Sequence, residues 1–64
     1  MHVNGHPVPI RNGMRLSEFL IEKGYDELRV AVERNGKIVR RKDLATEILS
    51  DDDRLEIVCF VGGG

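Results

Sequence analysis

Apolar and polar positions change period several times along the chain. Met1, Val3, Val8 and Ile10 are spaced around Asn4-Gly5. That dipeptide supplies the positive φ angles of a two-residue turn, so residues 1–10 read as a β-hairpin with those four side chains toward a core. Pro7 and Pro9 cannot donate to a sheet ladder, which places the second arm at an edge. The period then becomes helical. Leu16, Phe19 and Leu20 share one face of a helix of about two turns, predicted from Leu16 to Lys23. Glu18 and Lys23 suit the helix dipole and Gly24 the left-handed stop, but Arg15 is a poor N-cap. Val30 and Val32 restore the alternation, Asn35-Gly36 makes a second hairpin turn, and Lys37 to Arg40 returns. Asp43 to Leu49 reads as a single helical turn or a loop, with Leu44, Ile48 and Leu49 beneath the sheet. In the final run, Leu55, Ile57, Cys59 and Val61 share the core face, and Glu56, Val58 and Phe60 the outer one.

Composition narrows the function classes. The 64 residues suit one small domain, and the twenty Val, Ile, Leu and Phe side chains fill one modest core without walling an enclosed cofactor pocket. The formal net charge of −1 is made of scattered acids and bases, so nothing resembles a nucleic-acid footprint. Arg40-Arg41-Lys42 is a solvated edge or the counterpart of an acidic partner surface. No apolar run approaches a membrane span or a signal-peptide core, which leads us to expect a soluble, cytoplasmic chain. His2 and His6 have a metal-ligand spacing only on a helix, and Asn4-Gly5 and Pro7 forbid one, so no metal is expected. Asp51-Asp52-Asp53 lacks the alternation of a calcium loop and reads as a tight polar turn. Cys59, alone and on the core face, is expected to act as a small apolar residue.

Residues 1–61 are expected to form the domain and residues 62–64 a glycine tail. Four extended residues, Val61 to Gly64, reach about 13 Å at 3.3–3.6 Å each. Glycines present no side chain to a narrow channel. A Gly64 α-carboxylate, with a reference pKa of about 3.5, is ionised at neutral pH and a poor electrophile until activated. The pattern reads as a carboxylate delivered on a thread for another enzyme to work on, the alternative being a frayed terminus. Val58 and Phe60 beside that thread suggest a docking patch, unless a loop covers them or their exposure is incidental. No general acid–base pair or preformed cleft is evident, so a free-standing enzyme is the least expected class.

The order hairpin, helix, hairpin, short turn and final strand is the ββαββ sequence of an α+β fold, the β-grasp or ubiquitin-like fold. Its mixed sheet is crossed by one main helix. Val3-Asn4-Gly5, Val30-Ala31-Val32-Glu33-Arg34-Asn35-Gly36, Asp53-Arg54-Leu55-Glu56-Ile57-Val58 and Phe60-Val61-Gly62-Gly63-Gly64, in that order, resemble the ThiS family, the sulfur carriers of thiamine biosynthesis. The resemblance spans the whole chain. Arg15, Arg40, Leu44 and Asp52 depart from the residues frequent in the family, which concerns local turns and caps.

The resemblance implies that an E1-like enzyme binds the folded body and uses ATP to adenylate Gly64. A persulfide derived from cysteine by a desulfurase then converts the acyl-adenylate to a thiocarboxylate, and thiazole synthase takes the sulfur. Gly64 is the attachment point, Gly62 and Gly63 thread the partner's channel, and no cofactor is bound by the chain itself. The same fold also carries sulfur to molybdopterin or cysteine synthesis, and serves in ubiquitin-like protein tagging or interaction.

Overall fold

Two Asn-Gly pairs bend the chain where the sequence places them. A computed structural model describes residues 1–60. In it Asn4 and Gly5 have φ of 51° and 84°, and Asn35 and Gly36 of 52° and 85°. Both central residues of each turn thus take the left-handed conformation that matches the twist of a hairpin. The first turn joins β1 (His2–Val3) to β2 (His6–Pro7), and the second joins β3 (Val30–Arg34) to β4 (Lys37–Val39). The last strand, β5 (Arg54–Cys59), lies between the two hairpins in a five-stranded sheet of order β2-β1-β5-β3-β4. It runs parallel to β1 and antiparallel to β3. β2, with Pro7, is an edge strand as predicted. This is the mixed sheet of the β-grasp, crossed by one helix.

Helix α1 (Leu16–Glu22) buries Leu16, Phe19 and Leu20 against the sheet face formed by Val3, Val30, Val32, Leu55 and Ile57. Its start is capped by tertiary structure rather than by its own N-cap side chain. The Leu16 and Ser17 N–H groups donate to the Glu47 and Leu44 carbonyls, both at 2.9 Å, and Glu18 accepts from the Arg15 N–H. The end is local. Gly24, at φ 81°, lets its own N–H reach the Ile21 carbonyl and the Tyr25 N–H reach that of Leu20. These two bonds make the Schellman closure.

Two placements differ from the sequence reading. The helical turn expected within residues 43–49 lies earlier, at Arg41–Asp43. Beyond it residues 47–49 are extended against the start of α1, with an isolated bridge between Arg15 and Ile48 and a bond from the Leu49 N–H to the Met14 carbonyl. Neighbouring side chains therefore point to opposite sides. Leu49 is buried as expected, whereas Ile48, expected beneath the sheet, is 54% exposed. Cys59 is the second correction. It continues the core-facing alternation of Leu55 and Ile57, yet it is exposed, because the core ends at Ile57. Val61, Gly62, Gly63 and Gly64, and the roles expected of them, lie outside the described residues. Among the described residues no helix is long and apolar enough to cross a membrane.

Candidate partner-docking face

Helix and core cover one face of the sheet and leave the other bare. The register fixes which side chains share the bare face, because directly opposed residues of an antiparallel pair point the same way. Val58 stands opposite Ala31, Glu56 opposite Glu33, and Glu33 also opposite Ile38. Val58 is 58% exposed and Phe60, just past the strand, 55% exposed. Among the described residues no loop covers them. Ile38, at 77% exposed, joins the same face across Glu33. The sequence contained the signal for it. A two-residue turn at Asn35-Gly36 sets Val39 opposite inward-facing Val32, and so turns Ile38 outward.

The strand that leads to residue 61 is held on both sides. Toward β3, the Phe60 N–H donates to the Arg29 carbonyl at 2.7 Å and the Asn35 N–H to the Arg54 carbonyl at 2.8 Å. Toward β1, the two-residue strand ends early, and the Asn4 side chain continues the ladder in its place. Its amide accepts from the Ile57 N–H at 2.8 Å and donates to the Ile57 carbonyl at 3.1 Å. Asn4 thus serves as both the turn residue and a substitute rung.

The entrance of β5 is pinned by a charged cluster that the sequence reading missed. Asp53, read as part of a polar turn, is only 5% exposed. Its carboxylate accepts from the Arg34 Nε at 2.9 Å, the Asn35 Nδ2 at 2.9 Å and the Ser50 N–H at 2.8 Å. Arg34 also donates to the Glu47 carboxylate at 3.0 Å and the Ile48 carbonyl at 2.7 Å. Burial works against the charge on Asp53, but the bonds from Asn35, Ser50 and Arg34 outweigh it and hold the carboxyl below its ordinary range. Burial likewise opposes the Arg34 charge, and its carboxylate partners outweigh that in turn. An Asx-like pairing of Asn35 with Asp53 and with the Arg54 N–H is not visible in local sequence patterns, because it joins residues 18 and 19 positions apart.

His2 and His6 do not face each other across the first hairpin; their opposite numbers are Pro7 and Val3. Among the described residues no three His, Cys, Asp or Glu side chains come together as a metal site. What the arrangement offers is a central strand paired on both sides, with Ala31, Val58 and Phe60 on its outer flank and Ile38 set apart from them by Glu33 and Glu56, shortly before the glycines in the sequence.

The model of a family described as the ThiS family matches residues 1–64. The crystal structure of the thiamine biosynthesis protein ThiS from Geobacter metallireducens superposes with a TM-score of 0.80 at 30% identity, covering 98% of this chain and 96% of that one. A solution structure of a thiamine biosynthesis protein from the same organism gives a TM-score of 0.78 at 29% identity, covering 98% and 85%. Two curated relatives are thiazole synthases. That of Magnetococcus marinus is 39% identical over 64 residues, and that of Paramagnetospirillum magneticum 42% over 62 residues. These matches cover 100% and 97% of this chain but only 20% and 19% of the relatives, so the chain spans about a fifth of their length.

Proposed function

The chain belongs to the ThiS family, and from that premise we propose that it is a sulfur carrier for thiazole formation, a protein co-substrate rather than a catalyst. The observation that carries this reading is the position of Gly62-Gly63-Gly64. In the sequence they follow the central strand, beginning two residues after the exposed Phe60. Residues 1–61 act as the body that a partner grips, and residues 62–64 as the thread that enters its channel.

An E1-like adenylating enzyme grips the bare face through Val58 and Phe60. A Gly64 carboxylate oxygen attacks the α-phosphorus of ATP and pyrophosphate leaves, giving an acyl-adenylate. Its carbonyl is electrophilic because AMP departs readily, whereas a bare carboxylate would have to expel oxide. The terminal sulfur of a protein persulfide, charged from cysteine by a desulfurase, adds to that carbonyl and AMP leaves. A thiol then cleaves the acyl persulfide at its S–S bond, forming a disulfide with the donor and releasing the thiocarboxylate on Gly64. Thiazole synthase takes the sulfur. Fusion-sized relatives named thiazole synthase support that partner. ATP belongs to the adenylating enzyme, and these reactions place the chain in the cytoplasm beside it.

Ordering each tail glycine in the channel costs roughly 1–2 kcal/mol of backbone entropy, which main-chain contacts with the partner offset. The test is incubation with ATP, cysteine and a lysate of the source, followed by intact-mass analysis. Replacement of one oxygen by sulfur is expected at Gly64, with transfer to the thiazole on adding purified thiazole synthase. An unchanged mass, or a covalent conjugate with another protein instead, would refute the reading.

A further inference from the structure

Docking through Val58 and Phe60 leaves the run Arg40-Arg41-Lys42 without a role. β4 pairs with β3 only from Val32 to Arg34, and after Val39 the chain leaves the sheet into the turn at Arg41–Asp43. An open notch of about 380 Å³ lies where it departs, lined in part by Ala31, Ile38, Val39, Arg40, Arg41 and Phe60. Among the described residues its lining holds two cations and no carboxylate. Among the described residues neither arginine forms an ion pair, although Asp43 is only two positions from Arg41 in the chain. The Arg41 Nε donates to the Glu27 carbonyl at 3.3 Å, which turns the guanidinium without neutralising it. Phe60 forms one wall, so the notch continues the docking face.

We propose that this notch receives an acidic–apolar segment of the partner that grips the tail, one apolar side chain entering between Val39 and Phe60 with flanking carboxylates on Arg40 and Arg41. This rests on the docking reading above. Guanidinium groups recognise carboxylates through paired, charge-assisted bonds. The volume is at the small end of ligand sites, which run from roughly 300 to 1,000 Å³, and the notch is open. It therefore suits a side chain presented on a protein surface better than an enclosed small molecule. Charges at the rim of an interface act mainly on partner choice and on-rate. The notch would thus decide which enzyme docks, while Val58 and Phe60 hold it there.

The test is an amide NMR titration of the ¹⁵N-labelled chain with a capped peptide of one leucine flanked on each side by two aspartates. A second peptide carries lysines in place of the aspartates. The acidic peptide is expected to shift the amides of Ala31, Val39, Arg40, Arg41 and Phe60, and the lysine peptide to leave them in place. Arg40→Glu with Arg41→Glu, both at exposed positions, should retain the folded spectrum and weaken the acidic peptide by about tenfold or more. No response, an equal response to both peptides, or binding unaffected by the double reversal would overturn the assignment. Failure of the docking reading shows separately, as Phe60→Ala binding the adenylating enzyme as tightly as wild type.

Discussion

Replacing Asp53 by asparagine should destabilise the fold out of proportion to the change of one atom. In the wild type one carboxylate oxygen accepts from Arg34 and from the Ser50 N–H, and the other accepts from the Asn35 amide. An asparagine has a single acceptor oxygen, so in either orientation its NH₂ is turned on a donor. Breaking a buried ion pair costs about 3–5 kcal/mol, and a hydrogen bond to a charged group contributes about 1.5–3 kcal/mol. Arg34 keeps Glu47 and the Ile48 carbonyl, which lowers the first figure. About 2–4 kcal/mol is therefore expected for Asp53→Asn, a large part of the roughly 3–10 kcal/mol available to a domain of this size. With an m-value near 1 kcal/mol/M for so small a chain, the urea midpoint should fall by about 2 M or more. The pH dependence follows from the direction of the shift. The folded pKa lies below the ordinary 3.8, so the stabilisation is fully present above the unfolded value and is lost as pH falls through the folded one. The gap between wild type and Asp53→Asn should thus be constant from neutral pH to about 5 and narrow below about 4. A gap that persists to pH 2, or a midpoint shift under about 0.5 M, would show that the cluster does not pin β5 as described.

Phe60 is a little under half buried in the free chain, so a partner can cover about half of a residue whose full burial is worth roughly 1.5–3 kcal/mol. Phe60→Ala should accordingly weaken the adenylating enzyme by about four- to fifteenfold in calorimetry, and Ile38→Ala should weaken it as well if the grip extends across Glu33. Gly63→Val should still dock but fail in ATP–pyrophosphate exchange, because its branched side chain meets a channel shaped for bare backbone; exchange at the wild-type rate would remove the channel argument. Cys59→Val, at an exposed position, should leave the urea midpoint and thiocarboxylate formation unchanged, and loss of sulfur loading in the folded variant would give this thiol a part in the chemistry.

The strands and helix were legible because their boundaries are set by residues with one dominant backbone preference. Asn4-Gly5, Asn35-Gly36, Gly24 and Pro7 act within a few residues of themselves, and the structure places each where local geometry requires. Val58 and Phe60 were legible as outward-facing for a similar reason, since alternation on a strand is local. What alternation cannot report is where cover ends. Cys59 has the parity of a core residue and lies past the last covered position, and Ile48 lies in an extended segment whose facing depends on its pairing with Arg15. The turn at Asp51-Asp52 lies where the sequence places it, closed by the Asp53 N–H on the Ser50 carbonyl, but the burial of Asp53 was hidden for the opposite reason. Nothing within a few residues of it reveals that Arg34 and Asn35 arrive from another hairpin to neutralise and bond it. The capping of α1 by the Leu44 and Glu47 carbonyls was hidden in the same way, since Arg15 is indeed a poor cap and the remedy comes from 29 and more positions away in the chain.

The parallel pairing of β1 with β5 also bears on how the molecule is made. His2 lies opposite Arg54, and the Asn4 side chain bonds Ile57 across 53 positions of sequence. Contacts so distant in the chain slow folding, because loop-closure entropy must be overcome before they form. On a ribosome, the first hairpin and α1 must wait with their apolar faces uncovered until residues 54–59 emerge and take the centre of the sheet. Exposed faces of that kind are where nascent chains misassociate, and where chaperones act. The arrangement carries a safeguard in return: the sheet closes only after β5 has been synthesised, so a truncated translation product ending before residue 54 has no central strand and lacks the outer face that carries Val58 and Phe60.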